Sequence, residues 1–230
     1  MAINNYYLKA RLFPTVLTSV PAIVLYNKFI ATLYHDKLEN IYSALPIVTD
    51  VILSSAIVFL LVQINRFLSK EIFQKLYFKD EINMPTTNLL LKSNNELETS
   101  IKQKIEDKIK NKFDISLLTA TEESTEELRA RKLIATTVSQ IRNVLRGNKL
   151  LLQHNIEYGF FRNLIGGSFL AFVISLFLFV FSHFTGDLET RNLGGFLTII
   201  YFLPIVLSRV IIDRYGKYYA KILFEQFLTI

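Results

Sequence analysis

Leu164-Ile-Gly-Gly-Ser-Phe-Leu-Ala-Phe-Val-Ile-Ser-Leu-Phe-Leu-Phe-Val-Phe-Ser-His-Phe184 carries no formal charge from end to end. A helix needs about 20 apolar residues to cross a bilayer, and a soluble core helix rarely sustains that length without a polar face. Three further apolar runs occur, at residues 12–34, 42–65 and 193–212. Asp50 is the one formal charge in the second of them between residues 42 and 65. The pattern predicts a mostly all-α integral membrane protein. Its four transmembrane helices form two hairpins around a central helical cytoplasmic domain, with room for one or two short strands. The parts are 1–66, an N-terminal hairpin; 67–160, the cytoplasmic domain; and 161–230, a C-terminal hairpin with a short cytoplasmic tail.

Composition agrees with a membrane chain. Half of the 230 residues are apolar, 19 are Phe, and the mean hydropathy is positive despite 20% charged residues. Cysteine is absent, which excludes disulfides, thiol nucleophiles and thiolate metal sites. His35, His154 and His183 are scattered, so neither a metal nor a cofactor is expected. The N-terminal decapeptide is largely polar and no small-residue cleavage pattern follows, so the first span is expected to persist.

The net charge of +6 is unevenly placed. Lys9, Arg11, Arg66, Lys70, Arg162, Arg209, Arg214 and Lys217 flank one set of span ends, while the connections near 31–41 and 183–192 are close to neutral. Basic loops stay in the cytoplasm, which predicts both termini and the middle segment inside, with two short hairpin loops outside. The same excess could serve nucleic acid, and topology is the reading adopted. Pro14 either begins the first helix or lies within it, and Pro21 is placed to kink it.

The second span has no Gly or Pro to stop it before about Lys79, so it is expected to run out of the membrane as one helix. Met84-Pro-Thr-Thr-Asn-Leu-Leu-Leu-Lys92 and Asp114-Ile-Ser-Leu-Leu118 are the candidate strands. Ser93-Asn-Asn-Glu96 reads as a capping box, followed by a narrow stripe of Leu97, Ile101, Ile105, Ile109 and Phe113. A second helix from near Ser124 carries Leu128, Ile134, Val138, Ile141 and Leu145 and stops near Gly147. A third runs from about Lys149 into the third span. A soluble core this small is marginal alone, which predicts a homo-oligomer.

Asp50, Ser54, Val58, Leu61 and Asn65 fall on one face of the second span. They read as a pore lining with Asp50 as an outer cation-favouring ring, or Asp50 simply starts the helix. Gly166 and Gly167, with Ala171 and Ser175, let helices approach closely, or act as a hinge. Tyr158, Arg162 and Asn163, where domain meets membrane, are coupling candidates or interfacial anchors. Arg129, Arg131, Lys132, Arg142 and Arg146 are candidates for an anionic ligand such as a nucleotide or oligonucleotide, or form a solvated face near lipid headgroups. No hydrolase, zincin or P-loop motif occurs, so no enzyme is expected.

Pro85-Thr-Thr-Asn-Leu-Leu-Leu91 and Glu157-Tyr-Gly-Phe-Phe-Arg-Asn-Leu-Ile-Gly-Gly167, within the four-span plan, resemble small membrane effectors of bacterial anti-phage defence islands. The Hailong-type channel effectors are the nearer resemblance and the Kiwa membrane subunit the more distant. The resemblance implies an oligomeric ion channel of the bacterial inner membrane, gated from the cytoplasm and leading to growth arrest; the leading reading takes the oligomer as a tetramer. Its partners would be the lipid bilayer, further copies of itself, and a nucleotide ligand or soluble defence protein. The alternative is a non-conducting membrane sensor or scaffold that recruits a soluble cytoplasmic partner.

Overall fold

The computed structural model describes residues 5–31, 50–79 and 82–230, and every regular element among them is helical. In chain order these are α1 (Asn5–Thr18), α2 (Val20–Phe29), α3 (Asp50–Leu68), α4 (Pro85–Leu90), α5 (Thr99–Phe113), α6 (Ala120–Thr125), α7 (Glu127–Val144), α8 (Lys149–Thr185), α9 (Leu188–Val206) and α10 (Ser208–Thr229). Neither candidate strand forms: 85–90 is helical because Pro85 supplies a ready-made first-turn residue, and 114–118 is irregular. As expected, α3 continues without interruption through Ser69–Gln74 and Lys75–Phe78, ending at Lys79 with φ 43°.

α8, of 37 residues, is long and apolar enough to cross a membrane. α1 with α2, and α9 with α10, meet that standard only as bent pairs, so the described residues carry between one and three candidate spans. The start of the predicted second span, at 42–49, lies outside the described residues.

The chain divides into two compact units: Met1–Phe73 with Gly159–Ser208, and Gln74–Tyr158 with Arg209–Ile230. In unit 1, Ala10 lies by Asn163, Phe29 packs on Phe181 at 5.0 Å, and Lys28 pairs with Asp187 at 3.3 Å. α1–α2 therefore runs parallel to residues 159–185 of α8. α3 and α9 run the other way, since Ser69 meets Asn163 while Asn65 meets Gly167, and Gly194 meets Phe179 while Tyr201 packs with Ala171. The outside of this unit is apolar, with Phe184 82% and Ile199 73% exposed. A water-facing surface would bury such side chains.

Unit 2 is built on a core of Leu89–Leu91, Ile105 and Ile109, then Ile134, Val138, Ile141 and Leu145. Both predicted stripes are there, except that Leu128 is exposed. Residues 209–230, expected as a short tail after the last span, group with unit 2. α10 contributes Ala220, Leu223, Phe224 and Phe227 to this core, and Phe227 stacks on Phe113 at 5.9 Å. That spacing of three, one and three is a helical apolar stripe, and it was the available signal. With α10 in place, the small soluble core no longer argues for self-association.

The expected capping box at Ser93–Glu96 does not form, and α5 starts at Thr99. Buried Glu123 instead accepts from the Lys92 and Ser93 amides at 2.7 and 3.0 Å, while the Lys102 ammonium donates to the carbonyls of Leu91 and Asn94. Burial lowers the pKa of that ammonium. The box that does form is Thr119 with Glu122, ahead of α6. Gly147, at φ +94°, marks the stop after α7, as predicted.

Candidate functional site: a polar helix junction and a basic cleft

The junction lies in unit 1 and starts from two prolines. A proline has no N–H for the carbonyl four residues back, so Pro14 withholds a bond from Ala10 and Pro21 from Leu17. Side chains of neighbouring helices supply both. Asn163 Nδ2 donates to Ala10 O at 2.6 Å, and Tyr201 Oη donates to Leu17 O at 2.7 Å. Between the prolines the chain breaks at Ser19 and bends by 44°, as the Pro21 kink predicted. Pro14 does not begin a helix, because α1 already runs from Asn5.

Asn65 closes the junction. Thr15 and Thr18 spend their hydroxyl protons on Arg11 O and Pro14 O, so their oxygens are free to accept from Asn65 Nδ2, at 3.2 and 3.1 Å. Ser69 Oγ donates to Asn163 Oδ1 at 3.1 Å. α8 passes this cluster at Gly166 and Gly167. A Cβ on Gly166 would lie 2.5 Å from Asn65 O, and one on Gly167 2.6 Å from Asn65 Nδ2. Close packing is thus what these glycines serve. The small face beyond them is used inside the same chain: Ala171 against Leu197 and Tyr201, and Ser175 O beside Gly194. It is not left open for a second copy.

The pore-lining set is divided by this geometry. Asn65 is 2% exposed and committed to Thr15 and Thr18, so it does not line a water-filled path. Val58 and Leu61 are half-buried on α3, and the side chains of Asp50 and Ser54 lie outside the described residues. Of the coupling set, Asn163, Gly166 and Gly167 meet at the junction; Arg162 is half-buried on the same helix, and Tyr158 is buried in unit 2.

The five cations suggested for an anionic ligand are not gathered into one site. Arg129 pairs with Glu126 at 2.8 Å; Lys132 and Arg146 are exposed; Arg142 lies over the Tyr219 ring at 5.8 Å. Arg131 donates to Asn88 Oδ1 at 2.6 Å, pairs with Glu127, and lines a cleft of about 350 Å³ in unit 2. A larger cleft of about 610 Å³ in the same unit is lined by Arg209, Arg214, Lys217 and Lys221, with Asp213 as its one acid among the described residues. Sequence reasoning used three of these cations only as topology signals and overlooked Lys221; their recurrence along one face of α10 was the signal missed. Lys217 bonds Glu96 at 2.9 Å, which raises its pKa, and Asp213 stands at 3.6 Å. Arg214 donates to Tyr218 Oη at 3.0 Å.

No protein family, curated protein or solved structure matches this chain. No group of His, Asp or Glu among the described residues has the arrangement of a metal site.

Proposed function

We propose that the chain is a homo-oligomeric ion channel of the bacterial inner membrane, gated through unit 2, with both termini cytoplasmic, and an effector of anti-phage defence. The observation that carries this reading is α8. Its residues 149–158 count with unit 2 and 159–185 with the apolar unit 1, without a break in the helix. α8 is long and apolar enough to cross a membrane, and its residues 164–184 carry no formal charge. The defence role rests on the resemblance of residues 85–91 and 157–167. Conduction falls to the upper part of α3, with Asp50 as the cation-favouring group.

The test is oligomeric state in mild detergent together with potassium flux from proteoliposomes. Flux from an oligomer, with cation preference reduced in Asp50→Asn, is the expected result. A monomer, or no flux with or without added nucleotide, would overturn the channel in favour of the non-conducting sensor or scaffold.

A further inference from the structure

We propose that the larger cleft of unit 2 binds an anion carrying at least two phosphate groups, with Arg209 and Lys221 as its principal contacts. Among the described residues, four cations and one acid line this cleft. Two cations are already engaged: Lys217 with Glu96 and Asp213, and Arg214 with Tyr218. Arg209 and Lys221 have no ion pair among the described residues. Like charges repeated along one helix face repel, and Arg209 and Lys221 are the two whose charge no described partner offsets. An anion in the cleft removes the repulsion.

The spacing sets the class of ligand. Arg209 and Lys221 are separated by three helical turns and a fraction, about 18 Å of helix axis, with Arg214 between them. One phosphate cannot reach both ends. Two or more groups along an extended ligand can, and guanidinium forks match phosphate oxygens in pairs. The cleft volume suits a small molecule. Tyr77, Tyr218 and Asn83 on its walls add hydrogen-bonding groups for the remainder of the ligand. The same chemistry is offered by soluble polyphosphate esters and by adjacent phospholipid headgroups. Arg209 follows the apolar run of α9 closely in sequence, which makes headgroups a source to be tested beside the soluble one. Binding requires no conduction, so this inference can fail or succeed independently of the channel.

The experiment uses the detergent-purified full chain. Thermal protection is titrated with tripolyphosphate, with dioctanoyl phosphatidylglycerol, and with dioctanoyl phosphatidylcholine as the zwitterionic control. Protection by tripolyphosphate assigns a soluble ligand; protection by phosphatidylglycerol alone assigns headgroups. Arg209→Gln and Lys221→Gln should each weaken binding about tenfold and leave the unliganded melting temperature in place. Arg146→Gln, an exposed cation elsewhere in unit 2, should bind as the parent does. Protection by neither anion, protection equal to that of phosphatidylcholine, or undiminished binding in both single variants overturns the proposal.

Discussion

Single residues in unit 1 work by repairing what prolines remove. Tyr201 and Pro21 make this testable as a pair. Tyr201→Phe should leave Leu17 O without a donor and cost about 1–3 kcal/mol. In a Pro21→Ala background the restored amide can reach that carbonyl, so the same substitution should cost less. A double-mutant cycle on melting in detergent measures the difference, and additive costs would contradict the repair. Asn163→Ala removes the donor to Ala10 O and the acceptor for Ser69 Oγ, again for about 1–3 kcal/mol. Gly166→Ala should lower the melting temperature as well, because its Cβ meets backbone atoms that cannot rotate aside. Asp187 carries the pH dependence. The Thr190 amide and hydroxyl, then Lys28, lower its pKa from the ordinary 3.8 to about 2. The folded state therefore holds this carboxylate ionised when the unfolded state is already protonating it. Its contribution is complete above 3.8 and is lost as pH falls through about 2; Asp187→Asn should flatten the acid limb of a melting-temperature profile over that interval.

Among elements, α10 is the one whose role changed most. Its amphipathic stripe buries Leu223, Phe224 and Phe227 at 0–2% exposure. A dispensable tail would tolerate Phe224→Ala, whereas a core helix should lose about 3–5 kcal/mol from the cavity. Hydrogen exchange of α5 and α7 amides reads the outcome, since both pack on the same core. The opposite face of α10 holds the basic cleft, so one helix supplies both packing and charge. The failed capping box at Ser93 teaches the same point at smaller scale. Ser-x-x-Glu is a local signal, and Glu123, some thirty residues on, outbid it by taking two amides at once while Lys102 took the carbonyls. Lys102→Met should therefore loosen the 91–94 loop more than it disturbs α5, and exchange of the Asn94 and Lys92 amides would report that.

For the whole molecule, reporter fusions at Asn111 and at Asp187 should lie on opposite sides of the membrane; the same side for both would overturn the arrangement. Helix class, the stop at Gly147, the long extension of α3 and the unbroken entry of α8 into its apolar run were legible in the sequence. Each depends on local rules: length of an apolar run, periodicity, and the backbone preferences of Gly and Pro. The candidate site was legible only in fragments. Asn65 looked like a pore-facing residue because it shares a helical face with Asp50, yet periodicity names a face without naming its neighbour. Only tertiary packing could put Thr15, Thr18 and Gly167 against that face, because the carbonyls freed by Pro14 and Pro21 and the Thr15 and Thr18 oxygens take donors more than forty residues away. Equally, Arg209, Arg214, Lys217 and Lys221 read as topology charges along the chain, and became a cleft when the apolar side of α10 was buried and its basic side was left facing Tyr77 and Asn83. Hydrophobic pattern alone determined that this chain is helical and carries a run long and apolar enough to cross a membrane; which polar groups meet at the junction was decided by tertiary packing, because the carbonyls of Ala10 and Leu17 and the Asn65 amide take their partners across the fold rather than along the sequence.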